Sequence, residues 1–372
     1  MDTTPNSFEI SSFTVTAIGH IARTSSPQQG SALLMTLLLR RLPLRGSGLP
    51  KIENKGLQEN NCFLYSLRSI LAHISNLRTP SNKVWGAASL SSSRAYELAG
   101  PFNIDFISEF DGLLRSADQI IANGIDEEGL LYFAHRHLAP LKQELVNDEC
   151  LIIEGFSEPL DAYPIPSWAI AENNEFISLW GHEWMSASHW SFWRDWYQGF
   201  LDGKPLDWDL QRRVALIPDD DWEKGPEHIA QKIEEIRARF ELEKRIAELE
   251  AEKHVWEERA RLGIGGNNPP EALEDDIRIV QEIIWAPIED LKAETQSETP
   301  DNSRIKSAIS KLGAALIAIG KWPLGKLDKA ADEFAKSLGK WGGGACAGWL
   351  ALNSDKIAEI IKAAQDWLGT LF

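Results

Sequence analysis

Leucine and isoleucine recur every three to four residues along most of the chain, the period of one face of a helix. No run alternates apolar and polar residues as a strand would, so the pattern predicts an all-α, multi-helix bundle. After a Ser/Thr/Pro-rich start, helices are predicted from Ser31 to Arg41 and from Asn61 to Leu77, separated by Pro43, Gly46, Gly48 and Pro50. A short one is predicted over Ser89 to Leu98. Phe106, Phe110, Leu113, Leu114, Ala117 and Ile121 step by three and four to an Asn123-Gly124 stop, and Leu130 to Val146 repeats the pattern. Phe176 to Leu201 follows, then Leu210 to Ile217, closed by Pro218.

The longest element is charged and runs from about Pro226 to Leu262. Ile229, Ile233, Ile236 and Phe240 take the 4-3-4 steps of a coiled-coil seam. That seam slips before Leu242 and resumes through Ile246 and Leu249. Gly263, Gly265 and Gly266 end the helix. Asn268 suits an N-cap, with Pro269 at the first helical position and Glu271 three residues on. The next helix spans Leu273 to Leu291, with a kink expected at Pro287. Ile305 to Ile319, Leu327 to Leu338 and Ser354 to Leu371 complete the chain. The resulting segments are 1–100, an ill-defined helical start, and 101–225, rich in tryptophan. They are followed by the long helix at 226–262, the turn and connecting helix at 263–302, and an amphipathic module at 303–372.

Composition narrows the class. With 43% hydrophobic and 25% charged residues over 372 positions, the chain is globular and large enough for two or three domains. A net charge of −17 argues against nucleic acid as a partner. Cys62, Cys150 and Cys346 form no paired spacing, and residues 1–13 lack the basic flank of a secretion signal. The apolar run at residues 32–39 is far short of the roughly twenty residues a bilayer requires. A cytoplasmic protein is the expectation.

Charge is unevenly spread. Ser303 to Phe372 holds ten Lys and Arg against six Asp and Glu, a balance of +4, which leaves −21 on the rest. The tail also carries Trp322, Trp341, Trp349 and Trp367, the composition of a membrane-surface helix, so these four are candidate membrane-contact residues. An ordinary small bundle, its basic face docked on the acidic body of the same molecule or of its partner, is the favoured reading.

Of fifteen tryptophans, eight crowd between Trp168 and Trp222. Trp190, Trp193, Trp196 and Tyr197 fall on one helical face. That stripe suits a packed core first and a recognition groove second; as a groove, these four are the candidate partner-binding residues.

Catalytic signals are weak, and no catalytic, cofactor-binding or metal-ligating residue is assigned. His182-Glu183 and His189 lie seven apart, whereas a zinc-peptidase helix sets its histidines four apart. His135 and His137 fall on different helix faces. Asp219-Asp220-Asp221 follows Pro218 and is expected to cap the next helix. Gly263-Ile264-Gly265-Gly266 has neither the strand of a dinucleotide fingerprint nor the lysine of a phosphate loop.

Three segments carry a resemblance: Phe192-Trp193-Arg194-Asp195-Trp196-Tyr197, then Leu216-Ile217-Pro218 with Trp222-Glu223-Lys224-Gly225-Pro226, then Gly263 to Glu271. Together they resemble an uncharacterised family of helical alphaproteobacterial proteins, with Gly266 where that family has histidine. The resemblance implies a bacterial, cytoplasmic, helical protein and brings no activity or cofactor. The sequence thus points to a non-enzymatic interaction or scaffold protein, with a protein partner or self-association through 226–262. A membrane-active protein working through 303–372 is the alternative.

Overall fold

The computed structural model describes residues 57–79, 81–99, 187–261, 280–318 and 345–371. The expected helices at 31–41, 106–121, 130–146 and 327–338, and the glycine turn at 263–271, lie outside them. Every regular element among the described residues is helical, and none is a strand. The chain divides into two compact units, Met1–Ile233 and Glu234–Phe372.

In the first unit α1 (Leu57–Arg78) and α2 (Asn82–Ala99) form a helical hairpin. All fourteen residues from Phe63 to Asn76 are buried, so α1 is covered on every side. The connection is tied by side chains: Asn76 Oδ1 accepts from the Ser81 N–H at 2.9 Å, and Thr79 Oγ1 donates to the Ser75 carbonyl at 3.2 Å. Helix α2 starts seven residues before the expected Ser89. Its inner face is Val84, Ala87, Ala88, Ser91, Ser92 and Ala95, all buried. Small side chains let two helices approach closely but leave only a faint apolar stripe in the sequence.

A 3-10 turn (Ser188–Trp190) leads directly into α3 (Ser191–Leu201). Its exit is a Schellman turn: Lys204 N–H reaches the Gly199 carbonyl at 2.7 Å, and Gly203 N–H reaches that of Phe200 at 3.2 Å. Gly203 takes φ 65° there. A Cβ on Gly199 would lie 2.8 Å from the Lys204 carbonyl oxygen, so the returning backbone needs glycine at both places. Asp207 then caps α4 (Trp208–Ala215) through the Asp209 N–H at 2.9 Å.

One turn, α5 (Asp219–Trp222), precedes the long helix α6 (Pro226–Arg261). Here the capping expectation for the aspartates is corrected. Pro218 occupies the N-cap of α5 without a side-chain bond, while Asp219 and Asp221 bind cations instead. Gly225, at φ 97°, accepts the first bond of α6 from Ile229 N–H at 3.1 Å, and Pro226 sits at the first helical position. The W-E-x-G-P segment is therefore a helix-to-helix turn.

The α6 stripe does not act as one continuous seam. Ile229 and Ile233, at 0% and 1% exposed, belong to the first unit. Leu242, Ile246 and Leu249 belong to the core of the second. The slip seen in the sequence falls between these two stretches, each buried within the chain itself.

In the second unit α6 from Glu234 onward packs with α7 (Ala286–Thr295), α8 (Asn302–Ala318) and α9 (Ala345–Thr370). The kink expected at Pro287 takes the form of a π turn over Gln281–Trp285, in which the Ala286 N–H bonds the Gln281 carbonyl. Proline has no N–H to give Ile283, and its ring would collide with that carbonyl; one wider turn removes the conflict. Helix α9 begins nine residues before the expected Ser354, because Asn353 and Ser354 bond back to the carbonyls of Trp349 and Ala351, both at 3.0 Å. Buried Glu294 receives the Asp301 N–H at 2.7 Å and pairs with Arg304, fixing the loop between α7 and α8.

Candidate functional site

The tryptophan stripe and the three aspartates lie in the first unit, where Arg68 of α1 meets Asp219 and Trp222. This guanidinium is 2% exposed, at the bottom of a ring of acceptors. Its Nε and Nη2 donate to the Ala215 carbonyl at 3.3 Å, Nη2 also donates to that of Ile217 at 2.9 Å, and Nη1 donates to Asp219 at 2.5 Å. The cation lies 4.7 Å from the centre of the Trp222 ring. Burial pulls the Arg68 pKa below its ordinary value, and the Asp219 hydrogen bond and charge oppose that. Trp222 Nε1 returns to the same Ile217 carbonyl at 3.0 Å. The Leu216-Ile217-Pro218 and Trp222-Glu223-Lys224-Gly225-Pro226 segments are thus two sides of one knot tied by Arg68.

Aromatic rings extend the knot. Trp193 stands edge-on to Trp196 at 6.0 Å and 6.4 Å from Trp222, Phe63 meets Trp190 at 5.4 Å, and Trp196 meets Phe200 at 5.5 Å. Such edge-to-face pairs each add about 0.5–1.5 kcal/mol beyond area burial. The one polar handle of the Trp196 ring is met inside: Nε1 donates to Gln211 Oε1 at 2.9 Å, and Gln211 Nε2 donates to the Leu206 carbonyl at 2.7 Å. Gln211 is itself fully buried, so its amide orientation is set by these two bonds.

Trp190, Trp193, Trp196 and Tyr197 are 0%, 1%, 0% and 2% exposed. Their surface is spent on internal packing, which matches the core reading of the stripe and leaves no ring face open for a partner. Gln211 and Arg68 were missed in the sequence. Nothing local marks either one, because Trp196 lies 15 residues from Gln211 and the partners of Arg68 lie about 150 residues away. In the second unit Trp349 and Trp367, at 4% and 0% exposed, are core residues too, and Trp349 packs 5.8 Å from Trp285. Neither presents its ring to a membrane. Trp322 and Trp341 lie outside the described residues.

The tail's charges face the acidic helices of its own unit. Two of its cations do so, Lys356 to Glu252 and Arg304 to Asp290; Glu359 of the tail instead takes Arg245 of α6, and Lys292 of α7 pairs with Glu250 outside the tail. Each pair is exposed and contributes about 0–1 kcal/mol, whereas each buried Leu or Ile contributes about 1.5–3 kcal/mol. The apolar core therefore holds this module.

Two smaller clusters hold titratable groups. Asp221 accepts from Lys224 at 2.6 Å and meets His228 Nε2 at 2.8 Å, and these two bonds lower its pKa. His189 lies 3.8 Å from Glu227 and against the Trp190 ring. The His182-Glu183 pair and His135-Arg136-His137 are outside the described residues. On α1, Ser69 Oγ lies 3.4 Å from His73 Nδ1. That nitrogen is 2.6 Å from the Ser69 carbonyl, which only accepts, so Nδ1 carries hydrogen and cannot take the hydroxyl proton. The pair is no nucleophile–base dyad. Among the described residues no group of three or more His, Cys, Asp or Glu is placed to hold a metal ion, and no helix is long and apolar enough to cross a membrane. Set against known protein-family models, curated proteins and solved structures, the chain matches none.

Proposed function

We propose that this chain is a non-enzymatic helical interaction protein of a bacterial cytoplasm, working through a protein partner or self-association on α6. One observation carries the reading. Ile236 and Phe240 continue the stripe of Ile229 and Ile233, yet both remain only half-buried while Ile233 before them and Leu242 after them are fully covered. An apolar stripe that its own chain covers in part, on a helix otherwise lined with Glu, Lys and Arg, suits the seam of a partner helix. The aromatic cluster then serves as the rigid base from which that helix starts.

The test is sedimentation velocity of the full chain and of the Ile236→Glu/Phe240→Glu double variant, with chemical cross-linking of both. A wild-type oligomer or a defined complex that the double variant loses, with unchanged helicity, supports the reading. A strict monomer that forms no specific complex sinks it. Co-sedimentation with anionic vesicles, released by salt, favours membrane action through 303–372 instead.

A further inference from the structure

Helix α2 shows solvent an unusual face. Lys83, Gly86, Leu90, Ser93 and Glu97 are exposed and follow one another by three, four, three and four residues, the spacing of a helix–helix seam. Leu90 is 41% exposed, and Trp85 on its shoulder is 43% exposed. Nothing lies within 4 Å of where a Gly86 Cβ would stand, so the backbone itself is open to close approach. From Val84 to Ser93 the helix has no charge at all. Charge returns only at the two ends of the stripe, positive at Lys83 and negative at Glu97, seven residues either side of Leu90.

Reversed, the centre and the two charged ends of that order are self-complementary, and Gly86 leaves room opposite Arg94. We infer that this face pairs with the same face of a second copy of the chain, antiparallel and centred on Leu90. Resting on the interaction reading above, the inference names a different surface from α6. In this arrangement each Leu90 meets its counterpart, and Lys83 of each copy meets Glu97 of the other. Gly86 and Ser93 let the helices approach closely, while the Trp85 ring closes the flank. A parallel pairing would set Lys83 against Lys83 and Glu97 against Glu97, so charge selects the antiparallel one. The contact is isologous and closes as a dimer. Arg94 stays engaged within its own copy, to Glu97 at 3.1 Å and Glu223 at 2.9 Å.

The experiment is sedimentation velocity of the full chain over a wide loading range, with helicity checked by circular dichroism for every variant. Five proteins are compared: wild type, Leu90→Asp, Lys83→Glu, Lys83→Glu with Glu97→Lys, and Ile236→Glu with Phe240→Glu. A wild-type dimer that Leu90→Asp and Lys83→Glu each weaken at least tenfold, and that the double reversal restores, is expected. Restoration excludes general damage to the fold, because the double variant re-forms the same pairs with signs exchanged. A monomer at all loadings overturns the inference, as does a dimer indifferent to these changes. A dimer lost only on Ile236→Glu/Phe240→Glu overturns it while leaving the α6 reading standing.

Discussion

Replacing Arg68 by methionine removes a charge while keeping most of the side-chain volume, and its cost follows from what is left behind. The Ala215 carbonyl loses its guanidinium partner, the Ile217 carbonyl keeps only Trp222 Nε1, and Asp219 loses its cation. The cost is carried by the two buried carbonyls: each loses a charged donor worth roughly 1.5–3 kcal/mol, which gives about 3–5 kcal/mol together. Asp219→Ala leaves the buried guanidinium with its two carbonyls and the Trp222 face but no counter-ion, and costs about 1–3 kcal/mol. Arg68→Lys falls between, since an ammonium cannot fork to Ala215, Ile217 and Asp219 at once. Urea unfolding, followed by tryptophan emission and far-ultraviolet circular dichroism, gives the three values. The expected order of loss is Arg68→Met, then Arg68→Lys, then Asp219→Ala. An Arg68→Met variant within about 1 kcal/mol of wild type refutes the knot as the organiser of this unit.

Three further outcomes follow from the same geometry. Gln211→Leu leaves the Trp196 indole N–H and the Leu206 carbonyl without their partner, and destabilises by about 2–3 kcal/mol in urea titration, with a shift in tryptophan emission. Gly199→Ala drives a Cβ against the Lys204 carbonyl and costs about 1–3 kcal/mol, while Gly369→Ala, with open space around it, gains up to about 1 kcal/mol in thermal unfolding. Asp221 is held below the usual carboxylate range by Lys224 and His228. Asp209 is also held there: burial raises it, but bonds from Arg212 and Arg213 outweigh that. Depressed folded-state values stabilise the fold above the unfolded carboxylate pKa, about 3.9, and lose that contribution as pH falls through the folded values. Stability from these pairs is therefore flat near neutrality and declines below about pH 4, and Asp221→Asn flattens part of the acid limb of a pH–stability curve.

Helix content was open to reading because the three-to-four period needs only nearest neighbours. Ile229, Ile233, Leu242, Ile246 and Leu249 all proved buried, and the change from one core to the next falls after Ile233, ahead of the slip. The start of α2 was hidden because alanine and serine bury a helix face without an apolar signal. The early start of α9 was hidden because Asn353 and Ser354, usual helix breakers, bond back into their own helix. The tryptophan stripe was legible as a packed face. Its organiser was not, because Arg68 pairs with Asp219 across 151 positions and looks like any surface arginine in the sequence.

Hydrogen exchange read by mass spectrometry on the native full chain tests most directly whether the tryptophan-rich segments form a closed core. Peptides covering Phe63–Asn76 and Ser191–Trp222 are predicted to be among the slowest to exchange, slower than the outer turn around Lys224. Exchange of the Ser191–Leu201 peptide as fast as that of an open loop would contradict the account, and would return Trp193, Trp196 and Tyr197 to the status of an open groove.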